Sequence, residues 1–242
     1  MFSNHLVPDP ARARLRHRVA SHGAHYAVYD QDKTRWLGTQ DGAVQAAIHL
    51  DQPDEPALNY VRTMLSGLAL TERPRRVLDL GYGVGTLRRH IQHTVPRVRV
   101  VSVECNHAMV HIGHRWLGGA DARHVVMTRA EQLLNQPMTP FDVIFCDLHT
   151  PDAAQNPVSD RHFHEAVAAQ LNADGVYVLN LLPKDQADAV ALLRSLRGAF
   201  GYLWLHPVTG TQNLVVHARK APVRALNADA PFAAAWHDAE IA

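Results

Sequence analysis

Residues 75–92 read Arg-Arg-Val-Leu-Asp-Leu-Gly-Tyr-Gly-Val-Gly-Thr-Leu-Arg-Arg-His-Ile-Gln, and the fold class can be predicted from them. The mostly apolar run at 77–80 stops at Gly81, as a buried parallel strand does at its carboxyl end. Glycines alternate from Gly81 to Gly85, and apolar residues at helical spacing follow them. A strand, a glycine turn and a helix start place free backbone N–H groups beside a crevice, which suits a nucleotide.

The class of nucleotide follows from two further positions. A dinucleotide fingerprint requires a third glycine where this chain has Thr86, so the loop disfavours NAD. The next predicted strand, 98–104, ends in Glu104 about 20 residues after the loop, where an acid can hydrogen-bond a ribose diol. Each feature also occurs without a ligand, the loop as a structural turn and the acid as a surface residue. Together they favour an adenosine-type cofactor.

Composition limits the class of protein. The chain has 242 residues, 47% of them apolar, and a net charge of +1, which fits one substantial domain without the basic excess of a nucleic-acid-binding protein. No apolar run approaches the about 20 residues that span a membrane, and we expect a cytoplasmic protein. Cys105 and Cys146 fall at two strands that a third strand separates, so we expect free thiols rather than a disulfide.

The sequence divides into four segments. Residues 1–25 form a basic, histidine-rich arm, which we expect to be a loosely ordered terminus rather than a grip for an anionic partner. Short alternating runs between turn residues predict a small antiparallel β-sheet and a linking helix over 26–70. Residues 71–220 are predicted to form a Rossmann-like nucleotide-binding domain, and 221–242 an Ala-rich tail or helix.

Helices and strands alternate after the glycine loop, as in an open twisted α/β sheet. Gly210 predicts a hairpin between the last two strands, so the sheet would end antiparallel. The first four strands are predicted to lie in the order 3-2-1-4. The predicted elements are helices 86–93, 106–117, 130–135, 160–171 and 185–199, and strands 98–104, 124–127, 141–147, 176–182, 201–206 and 212–218.

A set of short motifs follows a recognisable order along most of the chain. The motifs are Gly42–Gln45, Pro53–Pro56, Tyr60 with Met64, Val77–Gly81, Val103 with Glu104, Phe141–Asp147, Leu171–Gly175, Asn180 with Leu181, and Gln212–Val216. In this order they resemble the polyamine aminopropyltransferases (spermidine synthases), and most closely the short bacterial spermidine synthase-like proteins. Each motif alone is loose, and their order and spacing carry the resemblance.

The resemblance implies a fold, a reaction and a set of site residues. The fold is an α/β S-adenosylmethionine-methyltransferase-type Rossmann sheet with a small N-terminal β-hairpin domain, usually as a homodimer. The reaction moves an aminopropyl group from decarboxylated S-adenosylmethionine to a polyamine amine. Asp147 would be the catalytic aspartate, and Tyr60, His149 and Thr150 would contact the amine substrate. The donor would be contacted by Gln45, Gly81, Tyr82, Gly83, Gly85, Glu104, Cys105, Arg129 and Ala130.

Three positions depart from the family pattern. The glycine-loop aspartate that meets the donor's amine is Val84 here. The aspartate that accepts from the adenine amino group is Arg129, a side chain without an acceptor. The second aspartate of the catalytic loop is Thr150. Glu131 and Asp152 are the acids that could compensate for the three missing carboxylates.

Asp147 is the carboxylate best placed for chemistry, since it follows a strand at the predicted switch point of the sheet. An alkylammonium, with a pKa near the lysine value of about 10.4, must lose a proton before its nitrogen can attack a carbon bonded to a sulfonium. Asp147 can accept that proton, and His149 in the same loop is a candidate proton carrier. The alternative roles are a turn cap for Asp147 and an exposed loop position for His149.

Histidines cluster at helical spacing in two places, His107, His111 and His114 on one predicted helix and His90 and His93 on another. No acidic or cysteine partner stands at a recognised metal-site spacing. We therefore interpret both clusters as solvated helix faces and expect no metal.

Three hypotheses follow. The first is an aminopropyltransferase-like enzyme, as the ordered motifs and Asp147 indicate. The second is an S-adenosylmethionine-dependent methyltransferase on the same scaffold, because Val84 weakens the barrier to the carboxylate of the ordinary donor. The third is a catalytically silent dimer that binds a nucleotide or a partner, because three family carboxylates are replaced.

Overall fold

Two β-sheets and the helices between them make up the part of the chain that the computed structural model describes, residues 12–40, 42–119, 124–148, 156–223 and 240–241. Within these ranges no helix has both the length and the apolar character needed to cross a membrane. A cleft lies between the first sheet and one edge of the second. The strands of both sheets decide which side chains reach that cleft.

The first sheet is antiparallel, and its four strands lie in chain order. Its strands are β1 (Arg14–Ser21), β2 (Ala24–Gln31), β3 (Thr34–Thr39) and β4 (Val44–His49). The expectation of a loosely ordered terminus is wrong for β1, because its backbone pairs with β2 from Arg14 and Asp30 to Ser21 and Ala24. Such a strand is hard to predict from its basic side chains, because the hydrogen bonds between strands come from the backbone.

A short helical linker connects the two sheets. The helix α1 (Asn59–Leu65) continues into a 3-10 helix over Ser66–Leu70. Met64 and Leu68 are buried against the second sheet, as the spacing predicts. Tyr60 lies on the same linker and lines the cleft.

The second sheet continues with β5 (Arg76–Leu80), β6 (Arg99–Glu104), β7 (Val125–Met127), β8 (Phe141–Cys146), β9 (Leu171–Leu181), β10 (Tyr202–Pro207), β11 (Leu214–Arg219) and β12 (Glu240–Ile241). Their order is β12-β10-β11-β9-β8-β5-β6-β7. Strands β5 to β9 pair in parallel, whereas β10, β11 and β12 pair antiparallel. The predicted order 3-2-1-4 and the predicted terminal hairpin are both confirmed.

Two parts of this sheet differ most from prediction. β9 begins at Leu171 rather than at 176, because Leu171 pairs with Phe141 ahead of the irregularity in the β8–β9 register. Residues 240–241 were expected in a tail or helix and instead form a short edge strand beside β10. Both differences arise from pairing between segments far apart in sequence, which local periodicity does not report.

Helices cover both faces of the second sheet. They are α2 (Thr86–Thr94), α3 (His107–Trp116), α4 (Ala130–Leu134), α5 (Arg161–Ala169) and α6 (Gln186–Arg197). One hydrophobic cluster joins α1 and α2 to the sheet through residues such as Leu65 and Ile91. The other joins α4, α5 and α6 to it through residues such as Phe163 and Leu196. This layered arrangement confirms the predicted α/β fold class.

The first sheet is held over the carboxyl ends of β5 and β6. Its inner side chains pack against α3 and the glycine loop through Val28, Leu37, Ala46, Ile48, Val84, Met109, Ile112 and Leu117. At the tip of the β1–β2 hairpin, Ser21 Oγ donates a hydrogen bond of 2.9 Å to Asn106 Oδ1. Asn106 also caps α3 by accepting from the Ala108 amide at 3.0 Å. The cleft therefore has one wall from each sheet.

Candidate functional site

The cleft is a cavity of about 1050 Å³, larger than most small-molecule pockets. It lies at the carboxyl ends of the parallel strands, on both sides of the switch point between β5 and β8. Ten sequence-predicted site residues line it together: Gln45, Tyr60, Gly81, Tyr82, Gly83, Glu104, Cys105, Arg129, Ala130 and Asp147. His149 and Thr150, together with Asp152, lie outside the described residues.

Gly81 brings the ends of two strands close together. It has a φ of +93°, and a Cβ placed on it would collide with the backbone carbonyl of Asp147. Asp147 in turn donates its amide to the Leu80 carbonyl at 2.9 Å. A residue with a side chain would have to adopt a strained left-handed conformation and also displace Asp147. Gly81 therefore sets the position of the predicted catalytic carboxylate.

The amides of the glycine loop bond to the protein itself. The N–H groups of Gly81 and Tyr82 donate to the Val103 carbonyl at 3.1 and 2.9 Å, and that of Gly85 donates to the Tyr82 carbonyl at 2.8 Å. The expectation of free N–H groups is wrong for these three residues, because the loop packs against the end of β6. The loop thus supplies shape more than hydrogen-bond donors.

Gly85 differs from the other predicted loop residues because it does not line the cavity. It is the N-cap of α2, with a φ of +81°. A Cβ there would collide with the ring of Tyr82, which is buried. Gly85 leaves room for the Tyr82 ring, and its contact with the donor stays a prediction.

Glu104 connects the glycine loop to the start of α3. Its Oε2 accepts from the Gly83 amide at 2.8 Å, and its Oε1 accepts from the amides of Cys105 and Asn106 at 2.9 and 2.8 Å. Burial raises the pKa of Glu104, and these three hydrogen bonds oppose the rise. Burial also raises the pKa of the Cys105 thiol, and the negative charge of Glu104 raises it further.

Asp147 is held by uncharged donors. Its Oδ1 accepts from Asn180 Nδ2 at 2.8 Å, and its carboxylate shares a side-chain hydrogen bond with Tyr60. Burial, followed by the Asp147 charge, raises the pKa of Tyr60 well above its ordinary value. Tyr60 therefore stays protonated at neutral pH and can donate to the carboxylate.

Arg129 stands at the edge of the cleft. Its guanidinium lies 3.0 Å from Glu131 Oε1, and half of its side chain is exposed. It precedes α4, and both it and Glu131 line the cavity. The charge of Glu131, one of the two acids that could compensate for the missing family carboxylates, is therefore paired with Arg129.

Sequence reasoning missed an ionisable group beneath the site, Asp79. It is fully buried on β5, and its Oδ2 accepts from Ser102 Oγ at 2.8 Å. Ser102 Oγ in turn accepts from the buried Arg88 guanidinium at 3.0 Å. Burial raises the pKa of Asp79 to about 7, although Ser102 and Arg88 oppose the shift. The available signal was a carboxylate inside an apolar strand, where charge is rarely tolerated.

The histidine clusters separate into exposed and buried members. His107, His111 and His114 are exposed on α3, as expected. The interpretation as a solvated face is wrong for His90, which is buried and hydrogen-bonds the Asp54 carbonyl through Nδ1 at 3.0 Å. Burial lowers the pKa of His90 to about 4. In the described part of the chain, no three His, Cys, Asp or Glu side chains group as metal ligands.

The strand order, the antiparallel end of the sheet and the cleft at its carboxyl edge define the class, a methyltransferase-type Rossmann protein with a small N-terminal β-sheet. The model of the Spermine/spermidine synthase domain matches residues 59–185, just over half of the chain. The chain therefore belongs to the spermine/spermidine synthase family, as the resemblance predicted.

Relatives with two different activities match the sequence. The chain is 22% identical over 206 residues to the polyamine aminopropyltransferase of Neisseria meningitidis serogroup B, covering 84% of this chain and 78% of that protein. It is 24% identical over 184 residues to the eEF1A lysine and N-terminal methyltransferase of Mus musculus, covering 68% of this chain and 26% of that protein. The chain thus spans about a quarter of the length of that methyltransferase.

Solved structures of both kinds share the fold. A probable spermidine synthase from Corynebacterium glutamicum matches with a TM-score of 0.73 at 17% identity, over 95% of this chain and 90% of that one. Human methyltransferase-like protein 13 in complex with SAH matches with a TM-score of 0.63 at 21% identity, over 74% of this chain and 91% of that one. These likenesses confirm the predicted fold.

Proposed function

We propose that the chain is a spermidine synthase-like transferase that moves an aminopropyl group from decarboxylated S-adenosylmethionine to an amine. The observation that carries this proposal is the position of Asp147, held by Tyr60 and Asn180 in the same cleft as Glu104. Glu104 fits the ribose end of the donor, because a carboxylate has about four acceptor sites and three are occupied by amides. Asp147 can then accept a proton from the amine.

The charge of the cleft supports two cationic substrates. Its described lining holds the carboxylates of Glu104, Glu131 and Asp147 and one guanidinium, that of Arg129. Such an excess of negative charge attracts both a sulfonium and an ammonium. Membership in the spermine/spermidine synthase family points the same way.

The glycine loop supports the decarboxylated donor. The carboxylate of ordinary S-adenosylmethionine would need N–H donors or a cation, and burying it without them is costly. The amides of Gly81, Tyr82 and Gly83 already donate to Val103 and Glu104. A donor without a carboxylate needs none of them.

The proposed step is an in-line displacement. The amine nitrogen forms a bond to the aminopropyl carbon as that carbon's bond to sulfur breaks. The bonding electron pair returns to sulfur, so the sulfonium becomes the neutral thioether methylthioadenosine. The proton that the attacking amine carries passes to Asp147 and then to solvent. The protein contributes alignment of the two substrates and acceptance of this proton.

The test is an incubation of purified protein with decarboxylated S-adenosylmethionine and putrescine, spermidine or cadaverine, with methylthioadenosine as the readout. We expect turnover that falls about 100-fold or more in Asp147→Asn. The control is Asp142→Asn, because Asp142 binds the amides of Arg75 and Arg76 away from the lining of the cleft. No methylthioadenosine above background with any of the three amines would reject the proposal.

A second candidate, methyl transfer, is favoured by one observation. Val84 is buried against the first sheet and also lines the cavity, so no loop carboxylate repels the carboxylate of S-adenosylmethionine there. Calorimetry with S-adenosylmethionine and its decarboxylated form separates the two candidates. A clear preference for the ordinary donor, with S-adenosylhomocysteine formed in its presence, would favour methylation.

A further inference from the structure

A row of amide side chains ends on the carboxylate of Asp147. Asn180 Nδ2 donates to Asp147 Oδ1 at 2.8 Å, and Asn213 Nδ2 donates to Asn180 Oδ1 at 2.9 Å. We propose that Asn213 is a positioning residue that acts on Asp147 through the Asn180 amide. The inference rests on the proposed function, because it assigns Asp147 the task of taking a proton from the amine.

The antiparallel end of the sheet places Asn213 at the site. β11 pairs with β9, with Val215 opposite Asn180, so the residue before β11 lies at the edge where β8 and β9 end. Asn213, Thr211 and Gly210 line the cleft for this reason. The terminal hairpin is thus part of the site, although the sequence predicts it only as an edge of the sheet.

The turn that carries Asn213 is braced by its own hydrogen bonds. The Val208 amide donates to the Asn213 carbonyl at 3.0 Å, and the Asn213 amide donates to Thr211 Oγ1 at 3.1 Å. Thr211 Oγ1 donates to the Val208 carbonyl, also at 3.1 Å. A side chain on such a turn can fix the orientation of its neighbour.

The chemistry of the row fixes the direction of each amide. An ionised carboxylate only accepts hydrogen bonds, so Asn180 must turn its NH₂ group toward Asp147. Its carbonyl oxygen then faces Asn213, which must present its own NH₂ group. Reversing Asn180 would place its oxygen against the carboxylate, and Asn213 prevents this reversal by donating to that oxygen. Such a row of aligned amides also strengthens each bond within it.

The isosteric substitution Asn213→Asp tests the direction of the row. The introduced carboxylate would accept where the Asn213 amide donates, so Asn180 would turn its NH₂ group toward position 213 and its oxygen toward Asp147. Asp147 would lose a donor and gain a nearby like charge, and both effects raise its pKa. We expect the acid limb of the kcat/KM profile to move to higher pH and kcat at pH 7 to fall about tenfold, with little change in KM for the donor.

A matched control is available one residue away. Gln212 is exposed and does not line the cleft, so Gln212→Glu adds the same charge without reaching Asn180. We expect the kinetics of that variant to match the wild type. Asn213→Ala serves as a second variant if Asn213→Asp unfolds at a much lower temperature than the wild type. We expect Asn213→Ala to lower kcat without adding a charge.

Titration of the Asp147 carboxyl carbon by NMR makes the test independent of turnover. We expect the Asp147 pKa to be higher in Asn213→Asp than in the wild type and in Gln212→Glu. An unchanged Asp147 titration in folded Asn213→Asp overturns the inference, whatever the activity. If the wild type forms no methylthioadenosine but the Asp147 pKa is higher in Asn213→Asp than in the wild type, the proposed function alone is rejected. Turnover that needs Asp147 but is the same in both Asn213 variants rejects the positioning role alone.

Discussion

The amide of Gly83 donates a hydrogen bond of 2.8 Å to Oε2 of Glu104, so the glycine loop and the strand-terminal acid are bonded to each other across the end of the sheet. Both residues line the cleft. Glu104 also accepts from the backbone amides of Cys105 and Asn106, the two residues before α3. One carboxylate therefore holds two loops and faces the ligand cavity. Its removal should affect the fold and the binding of nucleotide together.

Glu104→Gln should weaken binding of methylthioadenosine by about tenfold or more and lower the free energy of unfolding by about 1–3 kcal/mol. The reason is that the NH₂ group of glutamine would face a backbone N–H where the carboxylate now accepts. Calorimetry and urea denaturation measure the two effects. Glu165→Gln is the control, because Glu165 pairs with Arg161 on the surface and lies outside the lining of the cleft. Wild-type affinity in folded Glu104→Gln would contradict the ribose-binding role.

Gly81→Ala should cost more stability than a left-handed φ alone explains. The added Cβ would collide with the Asp147 carbonyl, whereas a Cβ on Gly23, with a φ of +73°, would meet nothing within 4 Å. We expect Gly23→Ala to lose about 1–2 kcal/mol for its backbone conformation, and Gly81→Ala to lose more and to lose turnover as well. Urea denaturation compares the two variants. Equal losses of unfolding free energy would show that the close approach of Gly81 to the Asp147 carbonyl adds nothing to the cost of a Cβ.

Asp79→Asn should reveal a pH-dependent stability term. The pKa of Asp79 is about 7 in the folded protein and about 4 in the unfolded chain, so between these values the folded state binds the extra proton. Stability from this group is therefore complete below about pH 4 and is lost as the pH rises to 7. The variant, which cannot ionise, should gain up to about 4 kcal/mol on the wild type between pH 4 and pH 8.

Urea denaturation of both proteins across this pH range measures that difference. Ionisable groups that do not interact with Asp79 contribute equally to both proteins, so the difference between the two curves reports Asp79 together with the two carboxylates coupled to its charge, Glu104 and Asp147. A difference in unfolding free energy that does not change with pH would contradict the raised pKa.

Tyr60→Phe should lower kcat/KM by about 10- to 100-fold, since a hydrogen bond to a charged group contributes about 1.5–3 kcal/mol. The alkaline limb of the pH–rate profile should stay where it is, because the pKa of Tyr60 lies well above 10. Tyr29→Phe is the control, since Tyr29 stacks on Trp36 in the first sheet, outside the lining of the cleft. Unchanged kinetics in Tyr60→Phe would separate Tyr60 from the chemistry.

Local patterns in the sequence predicted most of the fold. The apolar run before Gly81, the glycines after it and the alternation that follows are short-range signals, and they predicted the strand order around β5. Family motifs also located ten residues that line one cleft. Strand β1 was missed because its pairing partner, rather than its arginine-rich composition, makes it a strand.

Periodicity and glycine spacing were enough to predict the α/β class and the glycine turn beside the cleft, because they follow from the backbone geometry of each segment. The family was indicated by the order of its motifs along the chain, and the match over residues 59–185 shows it. The pairing of the polar groups depends on the assembled fold. The amides of Gly81 and Tyr82 bond to β6, Asp79 and His90 are buried, and Asn213 reaches Asp147 through Asn180. Hydrogen bonds and burial depend on which segments meet in space. That meeting is set by strand register and packing, which no single stretch of the chain encodes.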